Sequence, residues 1–247
     1  MQDNSPLSRA MAMVDDLRQR CDWDRAQTRE TLRPYLLEEI HELDHAIGRG
    51  DPEAIKEEVS DLLLHLAWQL VLGAEADEFT PNDVATQLET KMRRRHPHLF
   101  GLGSKEPWDQ LKRREGTTGV LAGLPSNLPE LLMAYRLGER AAAVGFDWPD
   151  PAGPLAKVRE EVAEVEEALG GDRDALEHEV GDLLFAVVNV ARKVGIAPGP
   201  ALARANQRFR DRFAGVERLA ETSAIDLHDA GLDQLDRWWD EVKRSGA

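Results

Sequence analysis

The sequence predicts an all-α protein built as tandem helical-bundle units. Apolar residues recur at helical and not alternating spacing, as in Leu32, Leu36, Ile40, Leu43 and Ile47, or Leu62, Leu66 and Leu70. Glycine and proline clusters interrupt this pattern at intervals of helix length. Blocks of the first half return in the second half in the same order. With 247 residues, 42% of them hydrophobic, the chain can form two compact domains of roughly 100 to 125 residues each.

Taken in order, the stripe from Leu32 to Ile47 predicts one amphipathic helix. Gly48-Arg49-Gly50-Asp51-Pro52 ends it, and the run from Leu62 to Leu70 predicts the returning arm of a helical hairpin. Thr80-Pro81-Asn82-Asp83 is the next break. A long segment carrying Pro97, Gly101, Gly103, Pro107, Gly116, Gly119, Gly123, Pro125 and Pro129 reads as a linker, with a short helix around Trp108 to Glu115. The expected organisation is a helical unit over residues 1–100, a linker over 101–128 and a second helical unit over 129–247.

The second unit repeats the first. Asp22-Trp23 is echoed by Asp147-Trp148, Glu38-Glu39-Ile40-His41-Glu42 by Glu160-Glu161-Val162-Ala163-Glu164, and Glu58-Val59-Ser60-Asp61 by Glu179-Val180-Gly181-Asp182. The offsets are 125, 122 and 121 residues, so the order is kept with small deletions. Lys91 and Arg95 follow the first set, Arg208 and Arg212 the second, each pair four apart. Duplication explains this pattern, and hairpins of this kind bury their apolar stripes against other helices in a bundle.

Charge and composition narrow the chemistry. A formal charge of −15 disfavours a nucleic-acid partner, because a phosphate-backbone surface needs clustered lysine and arginine. The single cysteine, Cys21, supports neither an internal disulfide nor a cysteine-rich zinc site, and suits a reducing cytoplasm. The first residues lack a basic and apolar leader pattern, and no apolar run approaches the roughly 18 residues that span a bilayer. The expectation is a cytoplasmic protein without membrane association.

The acidic blocks carry the chemistry. On a helical wheel Glu39 borders the packed face, while Glu58 and Asp61 lie about 60° apart on the next helix. Helices joined by a short turn sit roughly 8–10 Å apart, so the carboxylates of both can converge. Close anions repel, and a cation or a proton must offset that. All-oxygen ligands point to Mg²⁺, with Mn²⁺ as a possible substitute. His41-Glu42-Leu43-Asp44-His45 matches the HExxH pattern of zinc peptidases. Both histidines nevertheless lie on the water side of the wheel, and the second unit has Ala163 and Glu167 in their places.

Together with these blocks, Cys21-Asp22-Trp23-Asp24-Arg25-Ala26-Gln27-Thr28, Arg93-Arg94-Arg95-His96-Pro97-His98, Val144-Gly145-Phe146-Asp147-Trp148 and Gly181-Asp182-Leu183-Leu184-Phe185 resemble the tandem MazG family of nucleoside triphosphate pyrophosphohydrolases. The resemblance covers residues 10 to 245. It implies the all-α nucleotide pyrophosphatase fold, a homodimer, and Mg²⁺-dependent conversion of NTPs and dNTPs to monophosphate and pyrophosphate. It also implies Glu39, Glu42, Glu58 and Asp61, and Glu161, Glu164, Glu179 and Asp182, as metal ligands.

Further site candidates follow. Arg208 and Arg212 are placed to clamp phosphate oxygens, the alternative being a solvated basic face. Lys157 stands one turn before Glu160 and Glu161 and can act similarly. Trp239 can stack on a base or serve as a packing anchor, and the resemblance favours the nucleotide. Glu160, with Glu38 as its counterpart, can orient or deprotonate the attacking water, the alternative being a pairing with a basic side chain. Asn189, seven residues past Asp182, can bond a phosphate or ribose, whereas Trp68 takes the corresponding place in the first unit and His65 stands opposite Ala186. These differences favour the second unit as the principal site, the alternative being a Trp68 that stacks on a base. The alternative functions are a non-catalytic helical interaction module and, less favoured, a zinc peptidase using His41, Glu42 and His45.

Overall fold

The structure is a computed structural model, which describes residues 5–105 and 119–245. It is all-α, with no β-strand among the described residues. The chain divides into two compact units, Met1–Lys112 and Arg113–Ala247. The expected short helix at Trp108 to Glu115 lies outside the described residues.

In the first unit α1 spans Pro6–Arg20, α2 Asp22–Arg25, α3 Arg29–Arg49, α4 Pro52–Glu75 and α5 Pro81–Arg95, followed by a 3₁₀ turn at Pro97–Leu99. Local chemistry sets the boundaries. Thr28 caps α3, with Thr31 answering it in a reciprocal capping arrangement. Gly50 closes α3 at φ +65°, a left-handed conformation that glycine adopts without a Cβ clash. Asp51 then accepts from Glu53 N and Ala54 N to start α4 at Pro52. Two residues therefore turn the chain back on itself.

The core of this unit is Val14, Leu32, Ala67, Trp68 and Val71, contributed by α1, α3 and α4. Arg18 ties the same elements together. Its guanidinium meets Glu75 at 2.6 Å, donates to the carbonyls of Asp24 and Gln27, and lies 5.3 Å from the centre of the Trp68 ring. The α3 stripe behaves differently from the sequence expectation. Leu32 is buried, but Ile40 is 46% and Ile47 58% exposed. The hairpin packs against α1 at one end, and no second hairpin within the described part of the unit covers the rest.

In the second unit α6 spans Glu130–Ala142, α7 Ala152–Ala168, α8 Arg173–Lys193, α9 Pro198–Thr222 and α10 Gly231–Arg244. The α7–α8 hairpin corresponds to α3–α4. Its α8 packs on α6, while α9 and α10 bury Val216, Ala220, Trp238 and Val242 against each other. Gly215 permits that approach, since a Cβ there would stand 2.7 Å from the Val242 methyls.

The loop between α6 and α7 is held by charge. Asp147 receives Arg192 at 2.6 Å and Lys193 at 2.9 Å, and Lys193 also donates to the Trp148 carbonyl. Arg192, bonded to it, holds the Asp147 carboxyl far below the usual carboxylate range. The Trp148 ring lies where a side chain on Gly153 would be, so glycine is required at the second residue of α7.

Candidate metal and nucleotide site

Each unit uses a hairpin to bring acidic side chains from two helices together. In the first unit Glu39 on α3 and Glu58 and Asp61 on α4 have oxygens within 4.8 Å of one another. Glu38, Glu42 and Glu57 line the same cleft, whose volume is about 720 Å³. Burial, reinforced by the surrounding anions, pushes the carboxyls of Glu39 and Glu58 above their ordinary value. The acidic set is therefore crowded with like charge.

In the second unit Glu161, Glu164 and Glu179 come within the same 4.8 Å. Lys157 reaches Glu161 Oε1 at 2.6 Å and Glu160 Oε1 at 2.7 Å. Those bonds raise the Lys157 ammonium above its ordinary value, and the one from Lys157 lowers the Glu161 carboxyl. The bond that Glu164 shares with Glu161 pushes the Glu164 carboxyl up. Asp182 stands outside this trio, paired through Oδ2 with His178 Nε2 at 3.3 Å.

The residues present fit a hard divalent cation. Glu161 is 3% exposed, and its Oε2 is enclosed without a hydrogen-bond partner. A buried carboxylate oxygen left in that state is costly, and a cation among three carboxylates satisfies it. Both three-ligand sets are all-oxygen, which suits Mg²⁺ or Mn²⁺. His41 and His45 line the first unit's cleft but belong to neither set, so the zinc-peptidase pattern gains no convergent ligands among the described residues.

The remaining candidates fall into separate surroundings. Glu38 and Glu160 are exposed, the latter engaged with Lys157. Arg208 is exposed on α9. Arg212 lies 6.0 Å from the Trp239 ring on α10, which also meets Phe209 at 5.2 Å. The contacts seen for Trp239 are thus with Phe209 and Arg212 rather than with the carboxylates. Asn189 differs from its wheel position. It is buried, donates to the Phe185 carbonyl, and accepts from Arg192 Nε at 3.1 Å, so its amide is engaged inside the protein. Trp68 likewise belongs to the first core and does not narrow the cleft.

Two features escaped the sequence reading. One is His178, one turn before Asp182, whose only sequence signal is the four-residue spacing that places two side chains on one helix face. The other is the missing lysine of the first unit, where Tyr35 occupies the place of Lys157.

Helical hairpins bearing carboxylate trios define a class of all-α proteins equipped to hold a divalent cation. Residues 27–100 and 151–212 match the MazG nucleotide pyrophosphohydrolase domain, one match in each unit. The chain belongs to the MazG family of nucleotide pyrophosphohydrolases. It is 39% identical over 229 residues to a Thermotoga maritima protein named nucleoside triphosphate pyrophosphohydrolase/pyrophosphatase MazG, covering 90% of this chain and 89% of that one. An Escherichia coli nucleoside triphosphate pyrophosphohydrolase is 36% identical over 248 residues, covering 95% and 94%. The Bacillus subtilis protein YabN, of uncharacterised function, is 37% identical over 237 residues, covering 91% of this chain and 48% of its own length.

Proposed function

We propose that the protein hydrolyses nucleoside triphosphates, both ribo- and deoxyribo-, to the monophosphate and pyrophosphate, and so controls the nucleotide pool. The observation that supports this most directly is the enclosed, unpartnered Glu161 Oε2 within a carboxylate trio of a MazG chain. Glu161, Glu164, Glu179 and Asp182 would hold the cation in the second unit, and Glu39, Glu42, Glu58 and Asp61 in the first. When bound, Mg²⁺ or Mn²⁺ supplies the positive charge that offsets the triphosphate and the leaving pyrophosphate.

The chain's own residues supply the rest. Water attacks the α-phosphorus in line, the new P–O bond forms as the α–β bridge breaks, and a carboxylate takes the water proton. Glu160 is the group for that proton in the second unit, with Lys157 fixing its carboxylate; Glu38 is its counterpart. Lys157, Arg208 and Arg212 neutralise phosphate oxygens, and Trp239 offers its ring to the base. Asn189 stays with Arg192 and supports the Asp147 loop. We take the second unit as the principal site, because among the described residues only its carboxylate trio carries a lysine partner.

The domain limits we assign are 1–100, 101–128 and 129–247. The chain works as a homodimer, a reading supported by the exposed apolar stripe of α3 and by Leu66 on α4. It acts in the cytoplasm, without nucleic acid or membrane as partner; no helix among the described residues is long and apolar enough to cross a membrane. Pyrophosphate release from each NTP and dNTP, with and without Mg²⁺, tests the proposal. Release that requires Mg²⁺ and falls sharply in Glu161→Gln supports it, and no release from any triphosphate overturns it.

A further inference from the structure

The two acidic sets are related by duplication, yet they gather different members. In the first unit the aspartate joins the trio, as Glu39, Glu58 and Asp61. In the second the trio is Glu161, Glu164 and Glu179, and Asp182 is left out. A neighbour on the same helix differs between the two units. His178 Nε2 lies 3.3 Å from Asp182 Oδ2, one turn back along α8. Glu57 occupies the corresponding position in the first unit, and an anion there repels Asp61 and cannot hold it.

We infer that His178 is a positioning residue that draws Asp182 away from Glu161, Glu164 and Glu179, so that Asp182 would join a cation held there only by leaving the histidine. Both side chains are exposed, so the pair opens without disturbing the core and a cation can reach the carboxylate from solvent. Asp182 and Glu179 lie three apart on one helix face, so release from His178 returns the aspartate to the side that Asp61 already occupies beside Glu58. The cost of release is small. An exposed pair of this kind changes an equilibrium constant by at most a factor of about five. His178 thereby tunes how tightly the second unit loads its cation.

This inference rests on the reading of Asp182 as a metal ligand, and the test separates the two. Mn²⁺ binding is measured by calorimetry on the full chain without nucleotide, in a background carrying Glu42→Gln and Asp61→Asn so that the second unit dominates the signal. His178→Ala should tighten Mn²⁺ binding about twofold to fivefold. His178→Gln keeps a donor that reaches four residues on, and should stay near the parent value. Asp182→Asn should weaken binding, and His178→Ala added to Asp182→Asn should change nothing further, because the histidine acts through that carboxylate. Unchanged or weaker binding in His178→Ala overturns the inference. So does the same tightening in the Asp182→Asn background, which would make His178 a simple repulsive charge. If Asp182→Asn leaves Mn²⁺ affinity intact, the ligand assignment itself falls.

Discussion

Replacing Asp147 by asparagine removes one carboxylate and keeps nearly the same shape, so it isolates the charge that fixes the loop before α7. The wild-type side chain is 19% exposed and takes 2.6 and 3.3 Å contacts from Arg192, itself 8% exposed, and a 2.9 Å contact from Lys193. Charge-assisted bonds are worth about 1.5–3 kcal/mol each, and breaking a buried pair from one side costs about 3–5 kcal/mol. Asparagine retains one acceptor, and the lysine can turn to water, so the expected loss is about 2–3 kcal/mol. For a unit of this size that lowers the melting temperature by about 10 °C, read by scanning calorimetry. The sign of the pH dependence follows from the depressed carboxyl. Its stabilisation is fully present above the ordinary aspartate value of 3.8 and is lost as pH falls through the lower folded value. The gap between wild type and Asp147→Asn should therefore hold at neutral pH and shrink as the pH drops below about 4. The counterpart Asp22 is 99% exposed, and Asp22→Asn should move the melting temperature by no more than about a degree. Equal effects of the two substitutions, or an Asp147→Asn protein as stable as wild type, would refute this account of the loop.

Other consequences can be checked separately. Mg²⁺ or Mn²⁺ should raise the melting temperature at pH 7.5 and do so much less near pH 4.5, because the raised carboxyls of Glu39, Glu58 and Glu164 must lose protons to bind; an equal shift at both pH values would contradict the sites. Glu164→Gln with Asp182→Asn should abolish most nucleotide hydrolysis, whereas Glu42→Gln with Asp61→Asn should retain most of it; the reverse ranking, measured on folded variants, would make the first unit the principal site. Gly153→Val should destabilise the second unit through Trp148, with a lower melting temperature as the readout and no change as the refutation.

Periodicity and turn chemistry made the fold legible before any coordinates. Gly50, Asp51 and Pro52 form a left-handed stop, an N-cap and a first-turn proline, three signals that act locally and need no tertiary context. The carboxylate trios were legible for a related reason, since three- and four-residue spacing fixes a helix face. Long-range partners were not. Leu32 and Ile47 belong to one stripe on the wheel, but only the former meets α1, and spacing does not say what lies across from a helix. Asn189 shares the face of Asp182, yet two turns carry it into the interface with α6, where Arg192 claims its amide. Trp68 follows the same geometry into the first core. The pairing of Asp182 with His178 depends on which of several neighbours a carboxylate turns to, a rotamer choice that competing charges decide.

In the proposed reaction water attacks the α-phosphorus of a nucleoside triphosphate at these carboxylates. Hydrolysis of ATP with Mg²⁺ in ¹⁸O-labelled water, followed by phosphorus NMR, tests it most directly. AMP should carry the isotope shift and the pyrophosphate should be unlabelled, with both products greatly reduced in Glu161→Gln. ADP with orthophosphate, or label in the pyrophosphate, would contradict it.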